Sequence, residues 1–419
     1  MIKYMAEWPM DKPEIRTVVT TLSAPESKIL LNSFIMPKVF YGLAGLQMFS
    51  GSMPQFGRKR AFIITDKGVK DLAITTQKIL KVFGLETKIY DNVEPEVPLG
   101  SIKPVAEKME EFQPDLIVAV GGGSVIDMAK ASWILYEEPK TDLTNVDAMR
   151  PLGLRKKALI ACIPTTAGTG SEATNVAVIT DDSVEPHRKE GVVHPELYPD
   201  FAVLDPKFVV RMPQKLTLGT GLDALSHAVD CYLCRSSNEI SDALAVRATK
   251  MIFNYLPLAL RYPENLQIRL KTQIAAMIAG AAFSNGGIGT THAVAHNIGA
   301  LFKVHHGMAC GVTIPYIIKF YAEVDDKYIY FAKELGIDGQ EPDEILKNLV
   351  NFFVEFYRKI GAPLTMKELG ISEQEFKDKL DIFAKYVVMD PTGPFAPRQF
   401  TVDEAKELLV DIYYGRLKL

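Results

Sequence analysis

The most restrictive stretch of the chain is Leu116–Val120 (LIVAV), five apolar residues running straight into Gly121–Ala131 (GGGSVIDMAKA). A run of that length without a polar position suits a strand buried on both faces, and such strands belong to parallel sheets covered by helices. The preceding segments agree. Ala61–Thr65 (AFIIT) has buried-strand length, Val69–Phe83 has helical spacing, Thr87–Tyr90 begins another strand, and Ile102–Phe112 is helical again. Strand, helix, strand, helix, strand implies a parallel sheet with right-handed crossovers.

The turn after LIVAV carries chemistry of its own. Three glycines let a ligand approach the backbone closely, and a helix starting near Ser124 aims free N–H groups and its positive dipole end at that point, where a pyrophosphate binds. The pattern is neither GxGxxG nor a P-loop, since no Gly-Lys-Ser/Thr follows. Asp66, at the end of the earlier strand, is either a helix N-cap or a carboxylate that accepts from an adenosine ribose hydroxyl and repels a 2′-phosphate. The next strand, Ala158–Ile163, leads into Pro164–Glu172 (PTTAGTGSE), whose hydroxyls and glycines suit phosphate and nicotinamide ribose.

Later in the chain, the segment from Gly219 to Gly311 holds five of the 7 histidines. Asp223 and His227 are four apart in an Ala- and Leu-rich helical run, so both side chains leave one face and can reach one ion. His292 and His296 repeat that spacing. His306 lies fourteen residues beyond His292, which on one straight helix is about 21 Å, so a shared ion requires the chain to turn back, with Gly299 and the Lys303–Gly307 segment as the place. Single histidines often cap helices or hydrogen-bond within a core. This clustering points instead to a divalent metal site whose O/N donors suit Fe(II), Zn(II) or a similar ion. Ala293 stands where a zinc protease of the HExxH type needs its glutamate.

The bulk properties narrow the class. At 419 residues the chain exceeds one ordinary core, and a net charge of −4 offers no general attraction to nucleic acid or an anionic membrane. Four cysteines are too few for a disulfide scaffold of this size, and the Cys231–Cys234 CxxC has no second pair to complete a zinc site. No apolar run reaches membrane-spanning length, and the N-terminus lacks a signal-peptide core, so the expected location is the cytoplasm.

Met48–Arg60 contains the breakers of a loop, Asn175–Asp182 reads as a strand, and Phe201–Pro206 closes the alternating region. Between those two strands, Arg188 and Lys189 sit in a polar, proline-rich stretch facing either cofactor charge or solvent. Beyond Pro206 the pattern is helical almost throughout. The expected organisation is an α/β dinucleotide-binding domain over residues 1–205, including an N-terminal extension over 1–30 of unreadable role, and a helical metal-binding domain over 206–419.

Taken together, GGGSVIDMAK, IPTTAGTGSE, the GLDALSHAVD helix and HAVAHNIGALFKVHHG, in that order and spacing, resemble the iron-containing (group III) alcohol dehydrogenases, relatives of lactaldehyde reductase and of NAD-dependent butanol and methanol dehydrogenases. The resemblance covers roughly residues 34–419, including the late PRQFTVDEAKELL segment. It implies a Rossmann-like parallel-sheet domain followed by an all-α domain, the dehydroquinate synthase-like architecture. The implied metal ligands are Asp223, His227, His292 and His306, holding Fe(II) or alternatively Zn(II), with His296 near the nicotinamide as a proton relay or a positioning group. Implied dinucleotide contacts are Asp66, Gly122, Gly123, Ser124, Asp127, Thr165, Thr166, Thr169, Val178 and Lys189. The chain departs from the family in carrying Glu96-Val97-Pro98 where relatives commonly have Asn-Pro.

The expected function is hydride transfer between NAD(H), in preference to NADP(H), and a small primary alcohol or aldehyde whose oxygen a metal polarises. A glycerol-dehydrogenase-like or other polyol dehydrogenase of the same superfamily is the alternative. The expected partners are the small substrate and further copies of the chain, in a homodimer or higher homo-oligomer, with no nucleic acid and no membrane.

Overall fold

The computed structural model describes residues 34–148, 150–182 and 188–417. The expected extension over residues 1–30 lies outside them.

Six strands form one parallel sheet: β1 (Lys38–Tyr41), β2 (Arg60–Ile64), β3 (Glu86–Tyr90), β4 (Leu116–Gly121), β5 (Leu159–Pro164) and, after the two strands of a separate hairpin, β8 (Phe201–Leu204). Their order is β1-β8-β5-β4-β2-β3. The chain runs from β2 out to the β3 edge, then crosses back so that β4 lies on the other side of β2. That reversal makes a switch point between β2 and β4, and crevices outside the carboxyl ends of strands at such points take ligands. Asp66 and the triple glycine follow the two strands that flank it.

The apolar runs are double-sided, as LIVAV suggests. Phe62, Ile64, Ile117, Ala119 and Ile160 face one core with α3 (Leu99–Phe112) and α4 (Gly123–Glu137), while Ala61, Ile63, Val118, Val120 and Ala161 face the other. On that second face lie α1 (Gly45–Ser52), contributing Leu46 and Phe49, and α2 (Lys70–Val82), contributing Ala73 and Leu80. The expected loop over Met48–Arg60 is therefore mostly helical, because burying Phe49 and Met53 under the sheet outweighs its small-residue breakers.

The strand expected over Asn175–Asp182 is present, though not in the main sheet. It is β6 (Val176–Asp181), which pairs antiparallel with β7 (Arg188–Val193) in a separate hairpin. The polar, proline-rich stretch thus contributes a strand.

Among the described residues from Gln214 onward the regular elements are helices with one short 3-10 turn: α5 (Gln214–Leu233), α6 (Glu239–Arg261), α7 (Leu266–Gly286), α8 (Thr290–Phe302), α9 (His306–Ala322), α10 (Lys327–Leu335), α11 (Pro342–Ile360), α12 (Glu373–Met389) and α13 (Val402–Tyr414). Local signals mark their ends. Asn238 with Ser241 and Thr401 with Glu404 form capping boxes, and Gly336, Gly361 and Gly415 stop helices in left-handed conformations. Helix α5 is buried along nearly its whole length and forms the axis of the bundle. The sheet and helical regions are joined by polar contacts, with Ser284 Oγ donating to Asn175 Oδ1 at 2.7 Å and Tyr198 OH to the Ser284 carbonyl at 3.1 Å.

Candidate active site

Three helices bring the predicted metal ligands together. Asp223 and His227 project one turn apart from α5, His292 comes from the first turn of α8, and His306 opens α9. The reversal between α8 and α9 is made at Lys303, in the left-handed region at φ 55°, while Gly299 stays inside the helix. Helix α9 then presses on α5 so closely that a β-carbon on Gly307 would lie 2.0 Å from the Gly219 carbonyl oxygen. Only glycine permits that approach, and the approach carries His306 Nε2 to 3.6 Å from Asp223 Oδ1.

Polar atoms here lack partners. Asp223 Oδ1, His227 Nδ1 and His292 Nε2 are buried without a hydrogen bond, an arrangement that ordinary cores avoid and a bound cation resolves. His292 is also fixed in orientation: Nδ1 hydrogen-bonds Asp230 Oδ2 at 3.0 Å, which leaves Nε2 as the free donor atom. Burial keeps His227 well below the ordinary imidazole pKa, and the enclosing walls and neighbouring imidazoles lower His306 too, although its side chain is 40% exposed. Neutral imidazoles are the form that ligates a metal. The donor set fits a divalent ion.

The tightest grouping differs from the predicted one. Ligand atoms of Asp223, His292, His306 and Cys310 all lie within 4.8 Å of one another. His227 stands beside this group, with Nε2 3.9 Å from Asp223 Oδ1 and its ring stacked on His292 at 4.8 Å. His296 lies one turn beyond His292. Its ring stacks on His306 at 5.5 Å and its Nδ1 hydrogen-bonds Asp390 Oδ2 at 3.1 Å. Burial works against ionised Asp390, but hydrogen bonds from His296 and Thr392 prevail and hold its pKa below the usual value.

Burial raises the Asp223 carboxyl to about 7, so in the metal-free protein it keeps its proton below that pH and loses it above. A cation needs the carboxylate. Zn(II) affinity of the metal-free protein is therefore expected to fall about tenfold per pH unit below that value, as one proton competes with the ion. Calorimetric titration across the acidic range checks this, and a flat affinity would count against it.

The crevice residues form the facing wall. Thr165 N donates to the Gly121 carbonyl at 2.9 Å, which holds the PTTAGTGSE loop beside the triple glycine. A β-carbon on Gly123 would lie 2.9 Å from Thr169 Cγ2, and one on Gly122 would lie 3.3 Å from Thr166 Cγ2. Gly122, Gly123, Ser124, Thr165, Thr166 and Thr169 are thus side by side. Asp127 is bound within this wall, accepting from Ser171 Oγ at 2.7 Å. Asp66 Oδ1 accepts from Gly68 N at 2.6 Å, so the N-cap alternative is realised at one oxygen. Val178 is exposed, and Lys189 Nζ lies 3.4 Å from Glu96 Oε1. Glu96 and Val97, at the departure from the family pattern, both have positive φ and are held by Thr180 Oγ1 donating to the Glu96 carbonyl at 2.7 Å.

Sequence reasoning missed four residues. Asp230 and Asp390 are too far along the chain from the histidines they meet for spacing to reveal them, whereas Cys310 stands one turn after His306 and its spacing was the signal. Lys130 was hidden in an apolar helix. Its Nζ is fully buried and donates to Ser171 O at 2.7 Å, Thr174 O at 2.8 Å and Val176 O at 2.8 Å, tying the loop after β5 to α4. The one signal was a lysine one turn after Asp127 on a face otherwise apolar.

Comparison with known proteins agrees with this arrangement. Residues 37–206 match the family described as iron-containing alcohol dehydrogenase, and residues 217–413 match the C-terminal region of the Fe-containing alcohol dehydrogenase family. The chain belongs to the iron-containing alcohol dehydrogenase family. Among its relatives is an NADPH-dependent butanol dehydrogenase of Clostridium saccharobutylicum, 35% identical over 387 residues that cover 91% of this chain and 98% of the relative. An NAD-dependent methanol dehydrogenase of Bacillus methanolicus is 28% identical over 387 residues, covering 91% and 99%. The solved alcohol dehydrogenase from Oenococcus oeni superposes with a TM-score of 0.83 at 29% identity, covering 91% of this chain and all (100%) of that one. This member of the family is an oxidoreductase with the family's parallel-sheet and helical regions. Among its described residues, no helix is long and apolar enough to cross a membrane.

Proposed function

We propose that this family member transfers a hydride between NAD(H) and a small primary alcohol or its aldehyde, with a divalent ion held by Asp223, His227, His292 and His306. The observation that carries the reading is the set of buried, unpartnered donor atoms on Asp223, His227 and His292, next to a loop that touches both walls. The bound groups supply Lewis acidity toward the substrate oxygen and a hydride acceptor. The protein supplies the rest. The triple glycine and the start of α4 bind pyrophosphate, Thr165, Thr166 and Thr169 border the ribose, and Asp127, Val178 and Lys189 complete the proposed contacts with Asp66, Gly122, Gly123 and Ser124.

His296 is proposed as the proton carrier. With Nδ1 engaged by Asp390, Nε2 is the atom left to take the alcohol proton or return it to the alkoxide. We also propose the division into residues 1–205 and 206–419, a cytoplasmic location, consistent with four free buried cysteines, and assembly as a homodimer or higher homo-oligomer. Iron is the family's ion, with zinc as the alternative that the same donors accept. Nicotinamide fluorescence with and without a chelator, joined to turnover on simple alcohols, tests the reading. Cofactor binding without any metal-dependent turnover would overturn it.

The relatives differ in cofactor, one named as NADPH-dependent and the other as NAD-dependent. Asp66 favours NAD here, because its fixed carboxylate stands at the end of β2 beside the switch point and meets a 2′-phosphate as like charge. The unmodified enzyme is expected to prefer NAD by about tenfold or more, roughly 1.4 kcal/mol, and Asp66→Gly to erase most of that preference. Steady-state kinetics with both cofactors decides it, and equal use by the unmodified protein would remove the assignment.

A further inference from the structure

We infer that Glu96 is a positioning residue for Lys189, holding its ammonium back from the dinucleotide and so weakening the grip of the β6–β7 hairpin on the cofactor's pyrophosphate. The inference rests on the proposed cofactor site and gives a role to the stretch where the chain departs from its family, Glu96-Val97-Pro98. Two consecutive residues there, Glu96 at φ 63° and Val97 at φ 51°, occupy the left-handed region. That region is unfavourable for a β-branched side chain, so surrounding contacts must hold the corner. Thr180 supplies them. Its Oγ1 donates to the Glu96 carbonyl at 2.7 Å and its N–H to the Val97 carbonyl at 2.9 Å, while Val97 itself is 1% exposed in the core shared with α3 and α4.

The corner is docked beside one particular lysine. Thr180 pairs with Lys189 across the hairpin, so both side chains leave the same face of it, and Glu96 Oε1 lies 3.4 Å from Lys189 Nζ. That face also carries Val178 and Val193, both exposed, with Gly191 opposite Val178. The other face, with Ala177, Ile179 and Val192, is buried in the core shared with α4, whose N-terminus is the proposed pyrophosphate site. Lys189 also reaches toward the metal side: burial is the main reason that His306 stays neutral, neighbouring imidazoles add to it, and so does the Lys189 charge. An ammonium free at this place is a counter-charge for a pyrophosphate on the start of α4, and the Glu96 carboxylate competes for it. The Lys189 and Glu96 side chains are 53% and 64% exposed, so the competition is screened by salt and the expected effect is only a few-fold.

Fluorescence titration of the full-length protein with NADH reads the effect. In Glu96→Gln the Kd for NADH is expected to fall about fivefold at low ionic strength, and to return to within about twofold of the unmodified value in about 1 M salt. In a Lys189→Met background the same change alters Kd by less than about twofold, because the group that Glu96 holds back is gone. Glu96→Asn, whose side chain tolerates the left-handed corner, shows the same gain should Glu96→Gln disturb the fold, and metal content stays constant throughout. A Kd equal or higher in both Glu96 variants, a gain undiminished by salt, or the same gain with Lys189→Met in place would overturn the inference and leave the cofactor site standing. No NADH binding by the unmodified protein would overturn the proposed function with it.

Discussion

His306→Ala and Asp223→Asn each strip the ion and lower kcat/KM by about 10³-fold or more, the equivalent of about 4 kcal/mol of lost transition-state stabilisation. Elemental analysis and turnover on the same preparations show whether the two losses go together. The expectation follows from the approach of α9 to α5, since Asp223 and His306 are the pair that the Gly219–Gly307 contact brings together. His227→Ala is expected to lower metal content sharply as well. His296→Ala and Asp390→Asn are expected to behave differently: the ion stays and turnover slows by about 10²-fold, because the role proposed for His296, whose Nδ1 is held by Asp390, is proton transfer and not ligation. Metal loss in His296→Ala as severe as in His306→Ala would erase the distinction between ligand and relay.

Gly123→Val abolishes dinucleotide binding while leaving the metal in place. Even the first carbon of a side chain there meets Thr169 Cγ2 at 2.9 Å, and a branched one fills the space through which phosphate reaches the N-terminus of α4. Cofactor Kd is expected to rise about 100-fold or more, roughly 2.7 kcal/mol, read from nicotinamide fluorescence. Metal content should be unaffected, because the proposed ligands stand on α5, α8 and α9. Unchanged affinity would mean that the glycine turn shapes the loop and does not bind phosphate.

These two variants separate the walls of one cleft, and the structure shows what couples them. Gly168 packs directly against α5, where a β-carbon on it would lie 2.8 Å from the Thr220 carbonyl oxygen, while Lys130 fixes the same loop from behind through the carbonyls of Ser171, Thr174 and Val176.

What the sequence determined by itself is whatever local periodicity carries. LIVAV could be read as a strand buried on both faces because no residue in it tolerates water, and the GGGS turn could be read as a ligand-facing helix start because glycine and free N–H groups act within a few residues. The four-residue spacing of Asp223 and His227 likewise showed a shared helical face. Met48–Arg60 misled because the sheet that buries Phe49 and Met53 is assembled from distant segments, and its burial energy overrides local breakers. Tertiary structure alone decided which donors meet. His306 comes beside Asp223 because α9 is pressed against α5, Asp230 turns His292 from 62 residues away, and Asp390 reaches His296 from 94 residues away. Spacing along a helix predicts which side chains share a face, but the partner across a helix interface is set by packing, and no periodicity in the chain encodes that distance.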